Sequence, residues 1–317
     1  MYSYTPNFIP KHVIIYGCGG TGSRLVPLIA QFITSCKWVL DPKITLIDGD
    51  VVEQKNLSRQ NFIEDDVGQN KAVVLANRYS GAYGINIEAI PEFFSNETVI
   101  PGFTSGRDIL HILGSDILHI LCVDSVDSRK VIHHRILNGY KVYSAPKSIL
   151  LIDTGNGNDF GQVKFMNGAS VNSLEWDGDM GPEEVDKCPL PLKIPGIPYD
   201  LDYFENMVEM EGDSCAELDQ TMAINVLVAS TVLGVVQNFY YCKPISYNRL
   251  NISLHSGIQA VSIKSKDIED SYDRYVNRSR FYPLSKSGYQ YLSKFRVTST
   301  TLQRDWEALT ENGPAMI

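Results

Sequence analysis

Short apolar runs alternate with segments of helical periodicity along the first half of the chain. Apolar runs such as His-Val-Ile-Ile-Tyr at 12–16 are typical of buried strands. This pattern predicts six strands, at residues 12–16, 43–48, 85–90, 119–124, 148–153 and 162–166. The segments between them predict helices over 23–37, 69–79 and 128–137. Strands separated by helices indicate crossover connections, and therefore an α/β protein with a doubly wound, Rossmann-like, mostly parallel sheet.

The second half of the chain changes character twice. Residues 177–219 hold 13 acidic and 2 basic residues together with several prolines, which is typical of a long loop. A strongly apolar stretch then predicts a buried helix over 220–241, and a late strand follows at 250–254. Residues 274–304 carry 7 basic residues and no acidic one, interleaved with aromatic side chains. We therefore divide the chain into a first half (1–170), an acidic Pro-rich insert (171–219), the remainder of the same domain (220–263) and a basic, aromatic C-terminal extension (264–317).

The composition is that of a globular protein with a core, since 44% of the 317 residues are hydrophobic and 21% are charged. A net charge of −9 argues against a nucleic-acid partner, because such a partner needs a basic face. The apolar run at 222–236 is shorter than the roughly 20 residues of a membrane span, so no membrane partner is expected. Six cysteines without a Cys-x-x-Cys pair, and no secretory signal, predict a cytoplasmic chain with free thiols and no zinc ribbon.

The first chemical signal is the segment Gly17-Cys-Gly-Gly-Thr-Gly22, between the first predicted strand and the first predicted helix. Glycines allow the backbone to turn tightly and to approach a phosphate, and the helix that follows presents free N–H groups. We expect a bound nucleotide here, with four glycines in its binding site: Gly17, Gly19, Gly20 and Gly22. The alternative is a glycine-rich turn without a ligand.

The residues that follow favour a triphosphate over a dinucleotide. Asp48 ends the second predicted strand and suits the ribose of either ligand. Arg59 and Lys71 then supply an arginine fork and a lysine point charge, which suit the extra charge of a triphosphate. A hydride-transfer cofactor does not need these additional cations, so a nicotinamide oxidoreductase is the weaker alternative. Taken singly, either cation could instead be solvated surface.

Two carboxylates, Asp124 and Asp127, follow the core of the fourth predicted strand. Because ligands of open α/β sheets bind at the carboxyl ends of strands, these side chains suit Mg²⁺ beside phosphate oxygens. A helix N-cap is the alternative role for either aspartate. The chain has no Gly-x-x-x-x-Gly-Lys-Ser/Thr motif, which excludes a P-loop NTPase.

Taken together, these motifs resemble those of one family. Gly-Cys-Gly-Gly-Thr-Gly, Asp-Gly-Asp, Asn-Leu-Ser-Arg-Gln, Val-Gly-Gln-Asn-Lys and Val-Asp-Ser-Val-Asp-Ser-Arg are similar in order and spacing to motifs of the ThiF/MoeB (HesA/MoeB/ThiF) adenylyltransferase superfamily, which includes ubiquitin-activating enzymes. The resemblance covers about residues 11–166 and extends more weakly to about 240. Because paired zinc-binding cysteines are absent, the chain resembles the members of bacterial or phage type that have no zinc ribbon.

The resemblance implies an enzyme that uses ATP and Mg²⁺ to adenylate the C-terminal carboxylate of a ubiquitin-like or sulfur-carrier protein, as a homodimer. It implies that Arg59, Lys71 and Asp127 serve catalysis, with Asp127 as the metal ligand. The other nucleotide-binding residues that it implies are the four glycines, Asp48, Asp50, Asn56, Gln60 and Asp124. Residues 1–10 contain no arginine, so the source of any arginine finger stays open.

The resemblance also implies a thioester step on a cysteine, with possible transfer to a conjugating enzyme. Cys215 precedes the apolar helix, where the helix dipole favours a thiolate, and it resembles the family cysteine. Cys188, in the acidic insert, is the competing candidate, and an inert free thiol is the alternative for both. Two other functions stay open, namely adenylation of a different carboxylate and a nucleotide-binding scaffold without catalysis. The extension at 264–317 is expected to dock a partner or to wrap the surface.

Overall fold

The computed structural model describes residues 9–95, 98, 117–141, 149–168 and 220–262. Within these ranges, eight strands form one sheet in the order β3-β2-β1-β4-β5-β6-β7-β8. The strands are β1 His12–Tyr16, β2 Lys43–Ile47, β3 Asn86–Ile90, β4 Ile117–Leu121, β5 Ile149–Asn156, β6 Phe160–Gly168, β7 Tyr247–Ser253 and β8 Gly257–Ser262. The helices are α1 Gly20–Ser35, α2 Lys71–Tyr83, α3 Val126–Lys141 and α4 Met222–Tyr240, with 3₁₀ turns at Gln54–Asn56 and Glu64–Asp66.

The first five strands of the chain are parallel, which confirms the predicted α/β fold. β1 pairs in parallel with both β2 and β4, while β3 and β5 extend the sheet on either side. The strand order therefore reverses at β1, since the chain first builds outward on one side and then on the other. Ligands of open α/β sheets bind at such a reversal, outside the carboxyl ends of the strands. The topology places this crevice just beyond Tyr16 and Leu121.

The last three strands are antiparallel and widen the sheet on one side. β6 and β7 contain the predicted strands at 162–166 and, in part, 250–254. The sequence did not indicate β8, because nearly all its residues are exposed and carry no alternation of buried apolar positions.

Helix α1 begins at Gly20, three residues earlier than the sequence predicts. The chain turns sharply at Gly17, where φ is +90°, and the Ser23 N–H already donates to the Gly19 carbonyl at 3.0 Å. Two of the motif glycines thus belong to the first turn of the helix. Helix α2 begins at Lys71, where the Asn70 side chain accepts from the Val73 N–H at 3.1 Å and caps the helix.

The apolar core lies between one face of the sheet and helices α1, α2 and α4. Phe165 of β6 packs edge-on against Phe239 of α4, with ring centroids 6.0 Å apart. Among the described helices, α4 is long and apolar enough to cross a bilayer, with a mean hydropathy of 1.6. Half of that apolar window is buried inside the protein, which confirms the prediction of a buried core helix.

The other face of the sheet carries buried polar pairs. The His12 ring hydrogen-bonds the Thr45 hydroxyl at 2.8 Å, and the Tyr16 hydroxyl hydrogen-bonds His119 Nδ1 at 3.0 Å. Burial lowers the pKa of His12 to about 4 and the pKa of His119 to about 3. Both imidazoles are therefore neutral at pH 7, and their hydrogen bonds link neighbouring strands.

Candidate active site

A cavity of about 330 Å³ opens at the carboxyl ends of β1, β2, β4 and β5. It lies at the reversal of strand order, where an open α/β sheet binds its ligands. Its volume falls at the lower end of the range for small-molecule sites, roughly 300–1,000 Å³. Residues from every predicted nucleotide motif contribute to its wall, so the fold brings together segments more than 100 residues apart, from Gly17 to Asn156.

The glycine turn is packed too tightly for side chains at most of its positions. A Cβ atom on Gly17 would lie 2.7 Å from the Cys122 carbonyl oxygen, and one on Gly22 would lie 2.0 Å from the Gly17 carbonyl oxygen. Gly17, Gly19 and Gly20 line the cavity, whereas Gly22 is not among the described lining residues. The absence of a side chain at Gly22 allows α1 to pack closely against the turn.

The amino end of α1 is open to an anion. No side chain caps this end, and the first turn of the helix contains no acidic residue. The N–H groups of a first helical turn have no partner within the helix, and the helix dipole places partial positive charge there. This end of α1, with the turn that precedes it, is therefore a suitable cradle for phosphate groups.

The Asp48 carboxylate is fixed at the end of β2 by two backbone groups. The Cys18 N–H donates to Oδ2 at 2.5 Å, and the Asp50 N–H donates to Oδ1 at 2.8 Å. Burial raises the pKa of Asp48, and the two backbone donors oppose that rise. A carboxylate has about four acceptor positions, so Asp48 can still accept hydrogen bonds from sugar hydroxyls.

Lys71 and Asp50 form an ion pair at the cavity, with 2.9 Å between Nζ and Oδ2. Lys71 is 6% exposed, whereas the Asp50 side chain is half exposed. Asn70 holds this pair in place, because its side chain donates to the carbonyl oxygens of Asp48 and Asp50 at 2.8 and 3.0 Å. The sequence prediction included Lys71 and Asp50 but missed Asn70, whose helix-capping position was the available signal.

Three further predicted residues, Asn56, Arg59 and Gln60, also line the cavity. Arg59 is half-buried, on the turn that follows a 3₁₀ helix. Asn56 is buried, and its side-chain oxygen accepts from the Glu53 N–H at 2.9 Å, so it also shapes this turn. Gln60 is 6% exposed, and no described group hydrogen-bonds its amide oxygen. A buried polar atom without a partner at a cavity wall is the kind of group that a ligand satisfies.

Of the two predicted carboxylates, Asp124 lies at the cavity wall, and the assignment of the metal ion to Asp127 stays a prediction. Asp124 is exposed at the end of the β4 segment and lines the cavity, whereas Asp127, on the first turn of α3, is not among the described lining residues. Both aspartates are exposed, and Ser128, the residue that follows Asp127, does line the cavity. The cap of α3 comes from Ser125, whose hydroxyl accepts from the Ser128 N–H at 3.0 Å.

The turn that carries Asp124 is held by a buried ion pair. Arg129 of α3 bonds the Asp153 carboxylate and also donates to the Val123 carbonyl oxygen. Both charged side chains are almost fully buried. Because Arg129 holds the backbone carbonyl of Val123, the residue before Asp124, the pair fixes the position of the Asp124 carboxylate.

Within the ranges that the structure describes, no three His, Cys, Asp or Glu side chains cluster in a way that could hold a metal ion. Mg²⁺ does not need such a cluster, because it takes one or two carboxylates when phosphate oxygens and water complete its shell. Asp124 alone would therefore suit a magnesium ion that enters together with a nucleotide.

The cavity wall also contains residues that the sequence analysis missed. Phe93 and Phe94 follow β3, and Phe94 packs edge-on against Tyr16 with centroids 5.0 Å apart. Thr154 and Asn156 come from the end of β5, and Gln220 precedes α4. Except for Gln220, which lies in the stretch between Cys215 and the apolar helix, none of these residues belongs to a recognisable motif, so only the folded chain brings them to the site.

Two buried cysteines of the described part of the chain, Cys18 and Cys122, do not suit a nucleophile. Burial raises the pKa of the Cys18 thiol well above its ordinary value and raises the pKa of Cys122 to about 12. Both thiols are therefore protonated near neutral pH, and a thiol is a much weaker nucleophile than a thiolate. The predicted candidates Cys215 and Cys188 lie outside the described residues.

Comparison with known proteins gives a consistent set of similarities. The ThiF family model matches residues 10–189. The chain is 34% identical to "Ubiquitin-activating enzyme E1 2" of Arabidopsis thaliana over 88 residues, which are 27% of this chain and 8% of that protein. It is 26% identical to "Ubiquitin-like modifier-activating enzyme 5" of Oryza sativa subsp. japonica over 251 residues, which are 75% of this chain and 51% of that protein. The chain thus spans about half the length of the rice protein, and much less of the Arabidopsis one.

Among solved structures, the fold is similar to a crystal structure of E. coli MccB with AMPCPP and MccA. The sequences are 18% identical, the TM-score is 0.47, and the similarity covers 80% of this chain and 63% of that chain.

Proposed function

Because this chain belongs to the ThiF family, we propose that it is an adenylyltransferase that uses ATP and Mg²⁺ to activate the C-terminal carboxylate of a ubiquitin-like or sulfur-carrier protein. The names of the two plant relatives support a ubiquitin-like substrate. Adenylation of a different carboxylate would use the same nucleotide site, so substrate choice is the part of this proposal that assays must decide.

One observation carries the proposal, namely that one cavity unites a cradle for phosphates with a hydroxyl acceptor and two cations. The uncapped end of α1 and the glycine turn form the cradle. Asp48 would bind the ribose hydroxyls, and Arg59 and Lys71 would bind the phosphates of ATP. Asp124 would hold the magnesium ion against phosphate oxygens. A nicotinamide dinucleotide carries less negative charge than ATP and would therefore interact less strongly with Arg59 and Lys71.

The proposed chemistry is transfer of AMP to a carboxylate. A carboxylate oxygen of the protein tail bonds to the α-phosphorus of ATP, and the bond to the pyrophosphate oxygen breaks. The products are an acyl-adenylate and pyrophosphate. Catalysis of this kind depends on positioning and on neutralisation of phosphate charge, which is what Lys71, Arg59 and the end of α1 supply.

A thioester step belongs to the same proposal. A cysteine thiolate would attack the acyl carbon of the adenylate, and AMP would leave. We place this step on Cys215, with Cys188 as the alternative, because Cys215 precedes the apolar helix in the sequence and resembles the family cysteine. The buried thiols of Cys18 and Cys122 are protonated and suit the step less well. We also propose a homodimer, a cytoplasmic location, and a conjugating enzyme as a downstream partner.

Exchange of labelled pyrophosphate into ATP, measured with candidate carrier proteins, tests the adenylation step. We expect exchange that depends on a carrier with a free C-terminal carboxylate. The matched variants Asp124→Asn and Asp127→Asn test which carboxylate holds the metal ion, because they remove the same charge three residues apart. Asp124→Asn should abolish exchange, and Asp127→Asn should retain it.

Loss of exchange in Asp127→Asn together with retained exchange in Asp124→Asn would assign the metal ion to Asp127 instead. ATP binding without exchange, for any carrier protein or small carboxylate, would instead indicate a nucleotide-binding scaffold. The thioester step has a separate test, because Cys215→Ala should keep exchange while it removes an adduct that thiols can cleave.

A further inference from the structure

One amide side chain of the core helix α4 reaches the wall of the candidate active site. Asn225 lies in the first turns of this strongly apolar helix and is 0% exposed. Burial of an amide costs free energy unless both its oxygen and its nitrogen find partners. Asn225 has both, and neither partner belongs to α4.

The two partners of Asn225 come from different parts of the cavity wall. Its Oδ1 accepts from the side-chain nitrogen of Asn156, at the end of β5. Its Nδ2 donates to the backbone carbonyl oxygen of Arg59 at 3.4 Å, a long hydrogen bond. The Asn156 oxygen in turn accepts from the Thr21 hydroxyl of α1, also at 3.4 Å. The buried Asn225 side chain thus links the Arg59 turn to β5 and, through Asn156, to the start of α1.

Asn225 also explains one glycine of the motif. A Cβ atom on Gly20 would lie 2.6 Å from Nδ2 and 2.7 Å from Oδ1 of Asn225. Because the Asn225 amide is fully buried and bonded at both ends, it cannot swing aside to make room. The close approach of Gly20 and Asn225 therefore holds the first turn of α1 against α4.

We propose that Asn225 is a positioning residue of the nucleotide site, whose amide holds the Arg59 turn, the end of β5 and the first turn of α1 in one arrangement. This inference rests on the proposed function, because the positioned groups are those that would bind ATP. Without the amide, the Arg59 carbonyl loses this hydrogen bond, and the turn is tied to α4 less firmly, although its own backbone bonds to the Asn56 carbonyl remain. A site that is less firmly pre-formed binds ATP more weakly, because part of the binding free energy is used to order it. Asn225 acts indirectly, since it is not among the described residues that line the cavity.

Titration calorimetry with ATP and Mg²⁺ on the full chain tests the inference. We compare Asn225→Ala and Asn225→Ser with Val232→Ala, a buried position two turns further along the same helix. All three variants lose buried contacts, but only the first two lose the amide. We expect Asn225→Ala and Asn225→Ser to weaken ATP binding about tenfold, the equivalent of one or two hydrogen bonds, at a temperature where all variants are folded. Val232→Ala should bind ATP like the unmodified chain.

The pair of Gly20 and Asn225 provides a second measurement of the same contact. Gly20→Ala alone should weaken ATP binding, because its methyl group meets the Asn225 amide. In the Asn225→Ser background the shorter side chain leaves room, so the added methyl group should have a much smaller effect.

The outcomes separate the inference from the function on which it rests. ATP binding by Asn225→Ala and Asn225→Ser that equals that of Val232→Ala would overturn the inference and leave the proposed function standing. An effect of Gly20→Ala that is the same in both backgrounds would also overturn it. No binding of ATP by the unmodified chain would overturn the proposed function, and the inference with it.

Discussion

The substitution Gly22→Ala tests the link between the packing of the glycine turn and the site that it forms. The added Cβ would lie 2.0 Å from the Gly17 carbonyl oxygen and 2.9 Å from its carbon. Both atoms belong to the backbone, so no rotamer change relieves the overlap, and either the turn or α1 must move. Overpacking of this kind costs about 1–3 kcal/mol. Since the clash is with rigid backbone, we take the upper value of about 3 kcal/mol.

A gain in helix propensity opposes this cost, because Gly22 lies within α1. Replacement of glycine by alanine inside a helix stabilises it by about 1 kcal/mol. The expected net loss is therefore about 2 kcal/mol, or a shift of roughly 1 M in the urea midpoint at an m-value of about 2 kcal/mol per M. Because the displaced Gly17 lines the cavity, we also expect ATP binding to weaken at least about tenfold.

Gly81→Ala is the matched control, because Gly81 lies inside α2 and has no atom within 4 Å of its would-be Cβ. This variant should keep its ATP affinity and be stabilised by up to about 1 kcal/mol. Urea unfolding and titration calorimetry measure both quantities. Equal unfolding curves and equal ATP affinity for the two variants would refute the reasoning from turn packing.

Two further predictions concern charges. The folded-state pKa of His119, about 3, lies below its ordinary value of 6.5, so the folded protein binds fewer protons than the unfolded chain and loses stability as pH falls below about 6.5. Between pH 7 and pH 4.5 the free energy of unfolding should fall by about 2–3 kcal/mol through this group. The variant His119→Gln should flatten that part of the pH–stability profile, measured by denaturant unfolding at each pH. An unchanged slope would contradict the neutral imidazole. Lys71→Met should weaken ATP binding about tenfold or more, since it removes a charge-assisted hydrogen bond. Its unfolding free energy should change by less than about 1 kcal/mol, because half-exposed Asp50 can return to water; the reverse pattern would show that Lys71 serves folding instead of binding.

The sequence predicted the parts of the site that lie within single motifs. Asp48, Lys71 and the glycine turn could be found because each lies at or beside a strand end or a helix start that the apolar pattern marks. Arg59 lies on a turn after a 3₁₀ helix and was indicated by its motif alone. The sequence alone did not indicate that Asp124 lines the cavity and Asp127 does not, because this depends on where β4 ends, and the limits of a strand are the least certain part of such a prediction.

Long-range contacts account for what the sequence could not indicate. Asn225 meets Asn156 across 69 positions and Arg59 across 166, so no local spacing relates them. A buried asparagine in an apolar helix was the one visible sign, because a buried amide needs partners. Strand β8 escaped prediction for a different reason, since its exposed residues carry no apolar alternation.

Titration of the full chain with ATP, with and without Mg²⁺ and beside NAD as a competitor, tests the central claim most directly. We expect ATP to bind with an affinity that Mg²⁺ increases, that Asp124→Asn makes insensitive to Mg²⁺, and that exceeds the affinity for NAD. No heat of binding with ATP, or tighter binding of NAD than of Mg²⁺–ATP, would contradict the assignment of this cavity to adenylation.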